Sequence, residues 1–437
     1  MGSLEMEKSS NFTDEVAVEE VKSEMGIETN ENSTKKEERT SEMGIDKNEN
    51  SNKKIRRKRC CIFPRFACMR LDDEVPVVET PAGECCFNVE ASQKGPPPTH
   101  LVVMVNGIIG SANDWKYAAK QFVKAYPRDI IVHCSTSNCS RLTFDGVDIT
   151  GTRLAEEVLS VIKKHPHLQK ISFVGHSLGG LVCRYAIAKL YEQRSARRAC
   201  GGDMECSLNG STNSRVEEEV SKRKIAGLEP LNFITCATPH LGCRGHKQAP
   251  AFCGLYSLEK VASKSSWLLG RSGRHLFLKD CDEGRKPLLL RMASDSEDLP
   301  FISALQSFKR RTAYANTCFD YLVGWSTSSL RRRTELPKRQ NLKKVDKYPH
   351  IVNVDEVTSV SSQEETPTEV KINGRKSQEM EEVMIRGLTK LSWERIDVSF
   401  KGSKQRYFAH TAIQVQSYCM NSDGADVIQH MIDNFVV

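Results

Sequence analysis

The sequence predicts an α/β fold, a mainly parallel sheet with helices on both faces, and two observations carry that prediction. Short apolar runs alternate with helical patterns along residues 101–437, the order in which strands joined by crossover helices build a parallel sheet. In the middle of that alternation, "KISFVGHSLGGLVCRYAI" (170–187) passes from an apolar strand through Gly-x-Ser-x-Gly into a helix of small and apolar residues.

What precedes the alternation is of another kind. The chain has 437 residues and a formal net charge of +7, a length that suits one large domain with tails, or two domains. Residues 1–54 are almost all Glu, Lys, Asn, Ser and Thr and contain a repeat, "SEMGIETNENSTKK" (23–36) and "SEMGIDKNENSNKK" (41–54). So polar a segment buries too little apolar area to offset its ordering entropy, and it reads as a disordered tail. Two copies of a polar motif are too few to stack as a solenoid and read as duplicated linker.

Residues 55–96 read as a basic, cysteine-rich linker. The tract "KKIRRKRCCIFPRFACMR" (53–70) holds no acid, two phenylalanines, and Cys60, Cys61 and Cys68. It suits three roles: peripheral contact with anionic lipid through palmitoylated cysteines, a nuclear localisation tract, or a solvated linker. No nucleic-acid module or aromatic-interleaved basic surface accompanies the charge, so nucleic acid is not an expected partner. The start has neither the basic and apolar regions of a secretory signal nor the composition of a transit peptide, and Met6 stands where a myristoylation motif needs Ser or Thr. None of the 16 cysteines forms a C-x-x-C pair, which points to reduced thiols in a cytoplasmic protein rather than to structural zinc. No apolar run reaches the ~18 residues of a membrane span.

The folded domain is expected over residues 97–437, after the prolines of "QKGPPPTH" (93–100). "LVVMVNG" (101–107) is a strand and turn, "WKYAAKQFVKAYP" (115–127) a helix stopped by its proline, and "DIIVHCS" (129–135) a second strand. "RLAEEVLSVIKKHP" (153–166) places Leu154, Val158, Leu159, Val161 and Ile162 on one helical face. The strand and helix around residue 177 follow, then strands at 231–239, 310–316 and 393–400. In the last helix, "ADVIQHMIDNFV", positions 427, 428, 431, 432 and 435 form an apolar stripe. Two charged, serine-rich stretches, 192–228 and 331–385, interrupt this pattern. Loops so long are unusual within a domain, so both read as polar insertions, mainly disordered.

A serine nucleophile needs an exposed oxygen on a sharp turn with backbone donors beside it. Gly175-x-Ser177-x-Gly179 supplies that turn, its glycines letting strand and helix approach closely. His176, inside the motif, reads as a packing residue, because a neighbour on such a turn points away from Ser177. In folds that carry this elbow the acid and then the histidine follow the serine in chain order, each at a strand's C-terminal end. Asp320 lies just past the strand 310–316, whereas Asp295, Asp298 and Asp346 follow no strand. Of the histidines after Asp320, His350 falls in a polar stretch and His430 on the polar face of the last helix, while His410 follows the last strand. The expected oxyanion donors are the N–H groups of Leu178, directly after the nucleophile, and of Ile108 in "VNGIIGS".

The blocks "VNGIIGSANDW", "GVDITGTRLAEEV", "FVGHSLGGLVCRYAI", "TCATPHLGCRG", "LLLRMASDSED", "TAYANTCFDYLVGW" and "FAHTAIQV" together resemble the lipase-like serine esterases of plants, a family of α/β-hydrolases. The resemblance covers about residues 97–437 apart from the two polar stretches. It implies an α/β-hydrolase fold, Ser177, Asp320 and His410 as a catalytic triad, and hydrolysis of lipid esters. One departure stands out: Asn106 occupies the place usually held by His before the oxyanion-loop glycine. The apolar, part-helical stretch 250–270 suits a lipase lid or a core helix equally. The expected function is therefore cleavage of carboxylic esters, with no metal or organic cofactor. An acyltransferase using the same triad, or a membrane-associated adaptor without catalysis, are the alternatives.

Overall fold

The strands form where short apolar runs meet turn residues, and their registers align the site. In the computed structural model, residues 87–89, 96–193, 223–243, 269–281, 284–296, 298–357 and 377–437 are described. The repeat-bearing tail, the basic tract with Cys60, Cys61 and Cys68, and most of the stretch 250–270 lie outside the described residues.

The strands are β1 (Phe87–Val89), β2 (His100–Val105), β3 (Ile130–Cys134), β4 (Lys170–His176), β5 (Tyr191–Gln193), β6 (Arg223–Ile225), β7 (Glu229–Cys236), β8 (Arg310–Asn316), β9 (Ile351–Val357) and β10 (Trp393–Val398). Eight of them form one sheet in the order β1-β3-β2-β4-β7-β8-β10-β9. The six inner strands pair in parallel, and β1 and β9 close the edges antiparallel. This is the α/β-hydrolase fold. The pairs Val105↔Gly175, His176↔Cys236 and Asn316↔Val398 bring the strand ends to one edge.

The helices are α1 (Lys116–Ala125), α2 (Val147–Lys164), α3 (Leu178–Leu190), α4 (Gly270–Leu276), α5 (Leu288–Arg291), α6 (Phe301–Gln306), α7 (Trp325–Ser329), α8 (Ser377–Leu388), α9 (Ala409–Ala412), α10 (Tyr418–Asn421) and α11 (Ala425–Asp433). Successive side chains of β2 alternate between two cores. Leu101, Val103 and Val105 pack with Leu154 and Val158 of α2 and Leu181 of α3, while Val102 and Met104 pack with Phe122 of α1 and Met431 of α11. The helix α2 begins six residues earlier than its periodicity suggests, at Val147, and Leu159 is exposed rather than part of its buried stripe. Five residues beyond Leu154, its side chain has rotated about 140° off that face.

The polar stretches are more ordered than expected in their described parts. The ends of the first pair as strands β5 and β6. The second is corrected more fully: residues 351–357 form edge strand β9, and residues 377–385 belong to α8. Arg331, at its start, is fully buried, with Nη1 donating to both oxygens of Asp397 on β10 at 2.7 and 3.0 Å. The charges that make this stretch look like solvated insertion are partly spent inside the fold.

Candidate active site

The tight approach of β4 and α3 forces the elbow. Ser177 has φ 52° and ψ −125°, a left-handed backbone that side chains other than glycine seldom adopt. Its N–H donates to the carbonyl of Cys236 on β7 at 2.8 Å, so the neighbouring strand helps hold the turn. A Cβ on Gly175 would come within 2.6 Å of the Gly180 backbone, and one on Gly179 would run into the carbonyls of Val105 and Asn106. Only glycine permits this packing at either position.

Asp320 and His410 arrive from the ends of β8 and β10. His410 Nε2 lies 3.0 Å from Ser177 Oγ, and His410 Nδ1 lies 3.0 and 3.1 Å from the two oxygens of Asp320. The chain from serine to carboxylate is thus continuous and largely buried. Burial alone would raise the Asp320 carboxyl; His410, the Asn316 side-chain amide and the Val323 N–H outweigh it and hold the group below its ordinary value. Asn316 Nδ2 donates to Asp320 Oδ2 at 2.9 Å, and the N–H groups of Leu322 and Val323 donate to Oδ1 at 3.0 and 2.9 Å. The carboxylate is therefore fixed on both oxygens.

The loop after β2 passes against Ser177, so closely that a Cβ on Gly107 would stand 3.0 Å from Ser177 Cβ. Ile108 follows on that loop. Leu178 opens α3, where the first amides of a helix have no intrahelical acceptor. Asn106 is buried and ties the loop down: Nδ2 donates to the carbonyls of Gly107 and Asn138, each at 3.0 Å. Asn138 Nδ2 in turn donates to the Thr150 carbonyl at 2.8 Å. Asparagine reaches two carbonyls at once here, which accounts for its place before the loop glycine.

Three residues outside the expected set matter to the site. His176 does more than pack: its Nε2 donates to the His410 carbonyl at 2.7 Å, and the two rings lie 4.7 Å apart. Burial, reinforced by His410, depresses it to about 3, so it is neutral. Asn316 orients Asp320. Glu157, on α2, accepts the Ser135 hydroxyl at 2.6 Å, the Thr136 N–H at 2.8 Å and the Ser137 hydroxyl at 2.7 Å, binding the loop that carries Asn138. No spacing marks Glu157 or the partner of His176, which act through contacts between separate segments, whereas Asn316 stands four residues before Asp320.

The residues set aside have structural partners. Asp295 accepts the Ile302 and Ser303 N–H groups at the start of α6, and His350 pairs with Asp426 at 2.9 Å. His430 is buried rather than on a solvated face, its Nδ1 2.8 Å from the Tyr314 hydroxyl. Among the described residues, no group of three or more His, Cys, Asp and Glu side chains is arranged to hold a metal ion.

The sheet order and the strand–elbow–helix at Ser177 define this chain as an α/β-hydrolase. Residues 96–330 match the family described as "Putative serine esterase (DUF676)", more than half of the chain, and the chain belongs to that family. The match contains Ser177 and Asp320 and ends before His410. The chain is 33% identical over 261 residues to the "Putative lipase ROG1" of Saccharomyces cerevisiae, covering 58% of this chain and 32% of that protein. It is 28% identical over 242 residues to the "Putative lipase C4A8.10" of Schizosaccharomyces pombe, covering 53% of this chain and 26% of that protein. The aligned region thus spans about a third or less of these relatives' own lengths. Both are yeast proteins, so they support the family and not a plant grouping within it. The Bacillus licheniformis lipase BlEst2, in its propeptide form, superposes with a TM-score of 0.30 at 14% identity, covering 53% of this chain and 39% of that one. The fold assignment rests on the strand order and elbow, not on that superposition.

Proposed function

We propose that the chain hydrolyses carboxylic esters of lipids by acyl transfer through Ser177. The observation that carries this reading is the unbroken hydrogen-bond chain from Ser177 Oγ through His410 to Asp320. His410 Nε2 takes the hydroxyl proton as Ser177 Oγ attacks the ester carbonyl carbon, forming a tetrahedral intermediate. The N–H groups of Ile108 and Leu178 stabilise its oxyanion. Collapse expels the alcohol, which receives the proton from His410, and leaves Ser177 acylated. Water, deprotonated by His410, then attacks the acyl carbon; the bond to Ser177 Oγ breaks, Oγ takes the proton back from His410, and the carboxylic acid leaves. Throughout, Asp320 accepts from Nδ1–H and stabilises the imidazolium. The family supports ester hydrolysis, and the lipase names of the yeast relatives favour an acyl-lipid substrate.

Labelling with a fluorophosphonate probe tests the reading. Folded wild-type protein is expected to label and Ser177→Ala is not. Absence of labelling in the folded wild type refutes the reading, and labelling that survives in the variant moves the nucleophile elsewhere.

A further inference from the structure

Exposed apolar side chains stand on the loops that carry the site. Ile109, Tyr321, Leu322, Tyr407 and Phe408 are all exposed, Ile109 at 63% and Phe408 at 51%. Each stands within three residues of Ile108, Asp320 or His410, so the loops that carry the proposed machinery also carry this ring. The Asp320 and His410 sides of it are joined: Tyr407 meets Phe319 edge to face at 5.9 Å, and the Arg406 guanidinium lies 4.6 Å over the Tyr407 ring and 5.7 Å over Phe319. Ile109 stands on the loop after β2, two residues after the glycine whose Cβ would meet Ser177. A Ser, Thr or Lys at these positions would keep the same backbone without exposing hydrocarbon, and clustered exposed apolar groups mark contact surfaces.

The segment that leads to His410 is itself basic. From Ser399 to Phe408 the chain holds Lys401, Lys404 and Arg406 and no acidic residue, and both lysines are exposed. Asp423, which this segment does meet, accepts the Ser403 hydroxyl. Exposed aromatic and aliphatic tips flanked by lysines suit a lipid–water interface, where the tips enter the acyl boundary and the ammonium groups meet anionic headgroups.

We infer that the ring formed by Ile109, Tyr321, Leu322, Tyr407 and Phe408, with Lys401 and Lys404 beside it, docks the site against an anionic lipid surface. The inference rests on the esterase reading, because these side chains stand on the loops of Ile108, Asp320 and His410. A protein seated there would cover Ser177, whereas a lipid surface offers it acyl esters. This contact is separate from any made by the tract 53–70.

Vesicle flotation of the full chain tests it, with phosphatidylcholine alone and with phosphatidylserine added as the anionic component. Wild type and Ser177→Ala should bind the anionic vesicles equally, and a Lys401→Glu/Lys404→Glu variant should bind at least about tenfold less. Tyr407→Ser/Phe408→Ser should also bind less, and the charge variant carries the test should this one not fold. The tract 53–70 is intact in every variant, so its contribution is common to all. Charge-reversed protein that floats as wild type does overturns the inference. So does a dimer in lipid-free solution that Tyr407→Ser/Phe408→Ser dissociates, since the ring would then join copies of the chain. Vesicle binding by wild type that is not labelled by fluorophosphonate would sink the esterase reading and leave the docking surface standing. Labelling without vesicle binding would do the reverse.

Discussion

Asp320 shows how much of the site a single residue's surroundings decide. Its two oxygens are fixed by Asn316 and two backbone N–H groups while both lie within reach of His410 Nδ1. Asp320→Asn should keep this packing but cannot stabilise an imidazolium. The proposed mechanism expects kcat on a soluble ester to fall about a thousandfold or more, with the far-ultraviolet circular dichroism unchanged. A loss below tenfold would remove Asp320 from the role. Ser177, Asp320 and His410 could be singled out in the sequence because strand ends are visible there as apolar runs that stop. The bond of His176 could not be read there, because its partner is a carbonyl 234 residues away along the chain. Asn106 departs from the usual His, and one of the two carbonyls it bridges lies 32 residues away, out of reach of sequence pattern.

The elements most misjudged in sequence are those whose polar residues are paired internally. β9 reads "IVNVDEV", too polar for a buried strand, yet it is an edge strand held antiparallel to β10. Behind it, Arg331 reaches Asp397 at 2.7 Å and Asp355 at 3.2 Å, while Trp325 Nε1 donates to Asp397 at 2.7 Å and Asn353 Nδ2 at 2.9 Å. Charge content alone does not distinguish an arginine buried in such a network from one in solvent. Arg331→Met should destabilise the protein by about 3–5 kcal/mol, because it leaves Asp397 buried without its cation. Adding Asp397→Asn should recover much of that loss, because it removes the unpaired charge and leaves an acceptor for Trp325 Nε1. Urea unfolding checks both, and an Arg331→Met midpoint equal to that of wild type would show that the pair does little.

Across the whole molecule, alternation gave the fold class, but not the spatial order of strands, which depends on pairings between residues far apart in sequence. The same burial that builds the sheet leaves several of the described histidines in water-poor sites. Burial holds His100 and His176 at about 3, and His240 well below its ordinary value. On unfolding each returns to about 6.5. Below that pH the unfolded chain takes up protons that the folded protein refuses, so stability falls as pH drops from about 6.5 towards 3, by about 1.4 kcal/mol per pH unit for each histidine fully titrating. Glu157, whose partners hold it at about 2 against the effect of burial, adds a further loss below its ordinary value of 4.5. The melting temperature should therefore fall steeply from pH 6.5 to pH 4.5, and one that holds level across that interval would contradict the buried, neutral histidines. The separation of Ser177 from His410 by 233 residues has a consequence in time. At about 5–20 residues per second, the ribosome makes the histidine roughly 10–50 s after the serine. Throughout that interval the nascent chain carries its nucleophile without the base that would activate it, so ester cleavage by the proposed route waits until β10 and the loop beyond it have been made and have docked beside β8.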